Sequence, residues 1–93
     1  MNPSVYGDNL RKIIQDTKED FPKSKFMLSA TTYCSGTGDT QINAEQKNIT
    51  KNMPDVYLIG DTDKYTLSKF RYDDCHFSAE GVEAITNEFI KSF

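Results

Sequence analysis

Two short apolar runs, Phe26-Met27-Leu28-Ser29-Ala30-Thr31-Thr32 and Val56-Tyr57-Leu58-Ile59, set the architecture open to this chain. The first lies between Pro22 and Gly36 and the second between Pro54 and Gly60, and each is too brief for a helix, so both read as strands. The first strand is expected over Lys25 to Thr32. The second is a nearly continuous apolar run, the pattern of a strand covered on both faces. Between them, a turn-rich loop from Tyr33 to Thr40 precedes Gln41 to Met53, whose helix formers place Ile42, Ile49 and Met53 on one stripe.

A helix is also expected on either side of this unit. Tyr6, Leu10, Ile13, Ile14 and Phe21 follow helical spacing, and the Phe21-Pro22 step stops the helix because proline disfavours helical backbone in the residue before it. At the other end, Ser78 can cap a helix that has Glu80 in its first turn and Phe77 and Val82 at staple positions. Val82, Ile85, Phe89 and Phe93 line one face of it. The order helix, strand, helix, strand, helix describes one α/β domain over residues 1–93, with a parallel sheet and covering helices.

Composition narrows the partners. Eleven basic and 14 acidic residues give a net charge of −3 with no basic run, which argues against nucleic acid or an anionic membrane. No apolar run approaches the roughly 20 residues that span a bilayer, and the first residues lack signal-peptide order, so a cytoplasmic setting is the default expectation. Cys34 and Cys75 fit neither a disulfide framework nor CxxC zinc spacing and read as two unrelated thiols in a reduced setting. A metal site built from Cys34, Cys75, His76 and an acid has no spacing to support it, and no metal or cofactor is expected.

Chemistry concentrates in one place. Asp73-Asp74-Cys75-His76-Phe77 runs into Ser78-Ala79-Glu80-Gly81, putting an acid three residues before the only histidine and just ahead of a helix. A neutral imidazole with a carboxylate partner is held in one tautomer and can take a proton from a nucleophile. The bland alternative is a surface loop whose acids merely open the helix. Topology favours the first reading, because ligands of open α/β sheets bind beyond the carboxyl ends of the strands, where the Tyr33–Thr40 and Gly60–His76 loops lie.

The strand Val56–Ile59, the polar loop, Asp73-x-x-His76 and Phe77-Ser78-x-x-Gly81 together resemble the closing block of the SGNH (GDSL) hydrolases. With the helix from Tyr6 to Phe21 and the strand Lys25–Thr32, the chain is most similar to the second half of the carbohydrate esterases that include sialate O-acetylesterases and acetylxylan esterases. The resemblance implies a three-layer α/β/α fold with part of a flavodoxin-like parallel sheet. It implies His76 as general base and Asp73 as the acid that orients it, with Asp74 a neighbour outside the triad. The substrate implied is an O-acetylated carbohydrate, deacetylated once an N-terminal half supplies the serine and oxyanion hole. The family's Gly-Asp-Ser block and its glycine and asparagine blocks have no match in these residues.

Other nucleophiles fit less well. Leu58-Ile59-Gly60-Asp61-Thr62 looks like the serine block with threonine substituted, but it sits on the strand that already leads to Asp73, so Thr62 reads as a turn residue. Ser35 lacks the glycine two places ahead that a Gly-x-Ser-x-Gly elbow requires. Cys75 is adjacent to His76 and would point away from it, while Cys34 could approach His76 across the mouth of the sheet. A noncatalytic module is the competing expectation: the Lys25–Thr32 strand would present an open edge inclined to form a homodimer or to accept a separate N-terminal half.

Overall fold

The computed structural model describes residues 2–92 and folds them into a mixed α/β domain of three α-helices and a two-stranded parallel sheet. The elements run α1 (Pro3–Asp20), β1 (Phe26–Ala30), α2 (Thr40–Asn52), β2 (Val56–Asp61), a 3₁₀ turn (Thr62–Lys64) and α3 (Ala79–Lys91). The first helix starts three residues before Tyr6. Asn2 caps it by accepting from the Ser4 and Val5 amides, and Pro3 sits where its missing N–H costs nothing. Phe21 is its C-cap, as the following proline requires. In α2, Asp39 plays the capping role by accepting from the Gln41 and Ile42 amides.

The core forms where α1 and α2 meet one face of the sheet. Ile14, Ile49 and Val56 are buried at its centre, with Leu10, Phe26, Leu28 and Met53 packed around them. Ile13 and Phe21 are exposed instead: Ile13 sits at the edge of the stripe formed by Tyr6, Leu10 and Ile14, about 100° around the helix from the buried Ile14, and Phe21 is the C-cap beyond the last helical residue. The expectation that the second strand is covered on both faces is not met. Tyr57 is 48% exposed, as is Met27 at 52%, and these two are paired across the sheet. With α1 and α2 on the opposite face, about half of each of these two side chains stays open to solvent.

Pairing is in register from Phe26–Val56 to Leu28–Leu58, and then Ile59 is skipped so that Ser29 faces Gly60. Gly60 absorbs this bulge with φ of 152°, a conformation side chains disfavour, and a Cβ there would strike the Phe89 ring of α3. That close approach docks α3 on β2. Lys64 pairs with Glu88 at 2.6 Å and the Ser92 hydroxyl donates to the Ile59 carbonyl, fixing the same contact.

The last helix is capped as the sequence indicates, with the Ser78 hydroxyl accepting from the Gly81 amide. Ile85 is buried and Phe89 half-buried; Val82, at the staple position, is exposed, and Phe93 lies outside the described residues. Phe77 lies over the Arg71 guanidinium, 4.2 Å from ring centre to Cζ. No described helix is long and apolar enough to cross a membrane.

Candidate functional site

Beyond the carboxyl ends of β1 and β2, three loop segments are knotted together. Asp63 links the first two: its Oδ1 accepts the Thr32 and Tyr33 amides at 2.6 and 2.8 Å, and its Oδ2 accepts from the Thr32 hydroxyl and from Asn43 Nδ2 of α2. Burial alone would raise the Asp63 pKa, but these four donors outweigh it and hold the carboxyl below its ordinary value. The loop after β1 and the turn after β2 are therefore tied together through one carboxylate.

The third segment is the turn that carries the histidine. It is a short hairpin in which Arg71 bridges Phe77 and the Tyr72 amide donates to the His76 carbonyl. At its tip Asp73 folds back on the chain, its Oδ1 accepting the Cys75 and His76 amides at 3.0 and 2.6 Å. Its other oxygen lies 2.6 Å from His76 Nδ1. The bond to the imidazole, then those to the His76 and Cys75 amides, keep the Asp73 carboxyl below the ordinary carboxylate range. Asp73 and His76, the pair named from the sequence, are thus in hydrogen-bond contact, while Ser78, not either aspartate, caps the helix.

The imidazole is accessible: its side chain is 69% exposed, and among the described residues no hydroxyl or thiol bonds its Nε2. Tyr72 stacks on it with ring centres 6.0 Å apart and planes 19° from parallel. In the neutral tautomer that donates Nδ1–H to Asp73, Nε2 carries a lone pair open to solvent, the arrangement a general base needs.

The cysteines overturn the expectation of unrelated thiols. Cys34 and Cys75 form a disulfide across a sequence separation of 41 residues, so the loop after β1 is covalently tied to the histidine turn. A bond of this kind persists in oxidising surroundings, not the reduced setting inferred from spacing. Neither sulfur is then available as a nucleophile or as a metal thiolate, which removes the Cys34–His76 pair and the cysteine metal site from consideration. The reason spacing misled is topological: the two loops leave neighbouring parallel strands at the same edge, so residues remote in sequence become adjacent.

Hydrogen bonds run alongside the disulfide. The Ser35 amide donates to the Asp74 carbonyl, and the Tyr33 hydroxyl donates to Asp74 Oδ1 at 2.6 Å, which together with burial raises the Tyr33 pKa. Asp74 therefore anchors the turn rather than acting on the imidazole. Ser35 and Asp74 both have positive φ, 53° and 62°, in the left-handed region that non-glycine residues enter at a cost. Ser35 is exposed and makes no bond to His76; Thr62 is buried, with its hydroxyl turned to the Ala30 carbonyl. Neither stands as a nucleophile for this base.

A cleft of about 430 Å³ lies beside the turn, lined by Tyr33, Asp39, Asn43, Asp61, Asp63 and Lys64 among others. Asp73 and His76 do not line it; Tyr33 belongs to both regions. Sequence reasoning missed Tyr33, Tyr72 and Arg71. The one signal for Arg71 and Tyr72 was the alternation of aromatic and basic residues in Lys69-Phe70-Arg71-Tyr72 within a stretch taken as polar loop. No family model, curated protein or solved structure matches this chain.

Proposed function

We propose that this chain supplies the acid–base half of a serine esterase site, with His76 as general base and Asp73 as its orienting acid. The observation that carries the proposal is the 2.6 Å contact between Asp73 Oδ2 and His76 Nδ1 in a ring otherwise open to solvent. An exposed loop has no need to spend a carboxylate on fixing an imidazole tautomer, whereas proton transfer does. In the architecture that the sequence resembles, β1 and β2 would be the last strands of a larger three-layer α/β/α sheet. The serine and oxyanion hole would come from an N-terminal half, and the substrate would be an O-acetylated carbohydrate.

Hydrolysis of p-nitrophenyl acetate tests this. The chain alone is expected to match His76→Ala in the presence and absence of a serine-directed inhibitor, since without a nucleophile the covalent route is closed. Activity that is lost in His76→Ala and blocked by that inhibitor would show a nucleophile within these residues and overturn the half-site reading.

A noncatalytic role is favoured by a different observation. Each strand of the pair is hydrogen-bonded on one side only among the described residues, and the paired Met27 and Tyr57 expose apolar surface on one face of the sheet. Such an edge would accept another strand, from a second copy or from a separate N-terminal half. Sedimentation showing only monomer at high concentration would count against the second copy.

A further inference from the structure

Arg71 is 4% exposed, yet no carboxylate among the described residues lies within 4 Å of its guanidinium. A buried cation without a counter-ion is costly unless its protons are all placed. Here Nε donates to the Tyr65 carbonyl at 2.7 Å and Nη2 to the Thr62 carbonyl at 2.8 Å. Nη1 donates to the Cys75 carbonyl at 2.6 Å and to the Tyr33 carbonyl at 3.4 Å. The rings of Tyr33 and Phe77 stand 4.7 and 4.2 Å from its Cζ. With four of its N–H groups committed to backbone, this guanidinium is not placed to receive a substrate anion.

What it grips is more specific than a loop. The Cys75 carbonyl and the His76 amide belong to the same peptide group; Arg71 holds the oxygen, and Asp73 Oδ1 holds the hydrogen at 2.6 Å. A peptide group held at both its oxygen and its N–H is restrained in rotation, and its orientation, with φ of His76, governs the direction in which the side chain leaves the backbone. We propose that Arg71 is the positioning residue of the Asp73–His76 pair, aligning the imidazole on the carboxylate through the Cys75–His76 peptide while tying the turn to Tyr33 and Thr62. The significance of this role rests on the acid–base reading, but the role itself is a statement about geometry. Lysine cannot replace it, because a single ammonium has no planar fork with which to hold four carbonyls on three segments.

The test uses the whole oxidised chain and Arg71→Lys, with Arg71→Ala beside it. Its single histidine makes the ring nitrogens directly observable by long-range ¹H–¹⁵N spectroscopy at a pH where the ring is neutral. The expected result is that Arg71→Lys keeps the core, seen as unchanged amide signals from Ile14 and Ile49, but loses the single Nδ1–H tautomer of His76. The Asp73 carboxyl should at the same time titrate closer to its ordinary range. An unchanged tautomer and Asp73 titration in Arg71→Lys would overturn the proposal. So would loss of the whole fold in Arg71→Lys, which would make Arg71 a general structural residue. Inhibitor-sensitive esterase activity in the chain alone, with a tautomer that depends on Arg71, would instead contradict the half-site reading and leave this one standing.

Discussion

Breaking the Cys34–Cys75 bond should cost this domain much of its stability, and the size can be worked out. The bond closes a loop with a sequence separation of 41 residues. Loop-closure entropy of about 13 cal/mol/K for such a loop corresponds to about 4 kcal/mol at 25 °C. Domains of this length carry about 5–14 kcal/mol in total, and each kcal/mol moves the midpoint by about 5 °C, so Cys34→Ser/Cys75→Ser should melt about 20 °C below the oxidised chain. The double variant avoids the ambiguity of partial reduction, and far-UV circular dichroism in non-reducing buffer reads both midpoints. A reduced wild-type sample should melt with the double variant. This loss of entropy arises only when the two loops are apart in the unfolded chain and together in the folded one. If the double variant melts within about 5 °C of wild type, the loops are either not joined or already close when unfolded, and the reasoning fails.

Three further outcomes follow from the geometry. Gly81→Ala would push a Cβ into the Phe70 carbonyl oxygen, so it should destabilise by about 2 kcal/mol and lower the melting midpoint by about 10 °C; an unchanged midpoint would mean that α3 can shift freely on the turn. Asp63→Asn would turn a donor toward groups that are themselves donors, costing about 2 kcal/mol in urea denaturation, and a variant as stable as wild type would refute the role of Asp63 in joining the loops. Asp55, Asp63, Asp73 and Glu88 all have folded pKa values below their ordinary ones, so their contribution is in place above the ordinary carboxylate range and is lost as the pH falls through the lowered values. The urea midpoint should therefore be flat near neutrality and drop below about pH 4.5, and a midpoint that rises on acidification would contradict these assignments.

The elements were legible because their signals are local. Proline and glycine bracket both strands, Ser78 and Gly81 begin α3, and the Asp73–His76 spacing is that of a side chain bonding back across a turn. What escaped was set by packing. Whether β2 is covered on both faces depends on how many helices reach the sheet, and no local pattern in Val56–Ile59 carries that number. The disulfide depends on two loops meeting at one edge of a parallel pair; the shared edge was inferred from topology, but the cysteines were judged by spacing alone. Arg71 was hidden because a buried arginine in a polar stretch looks like an exposed one until the carbonyls it holds are in place.

The account stands on Asp73 holding His76 as the Nδ1–H tautomer with Nε2 free to accept a proton. Long-range ¹H–¹⁵N spectra of wild type beside Asp73→Asn measure that directly. The substitution keeps an oxygen for the Cys75 and His76 amides while placing an NH₂ group at the imidazole. Wild type is predicted to show one tautomer, protonated on Nδ1, and Asp73→Asn to shift toward protonation on Nε2. The same tautomer mixture in both proteins would mean that the carboxylate does not orient the ring, and the acid–base pair would have no basis.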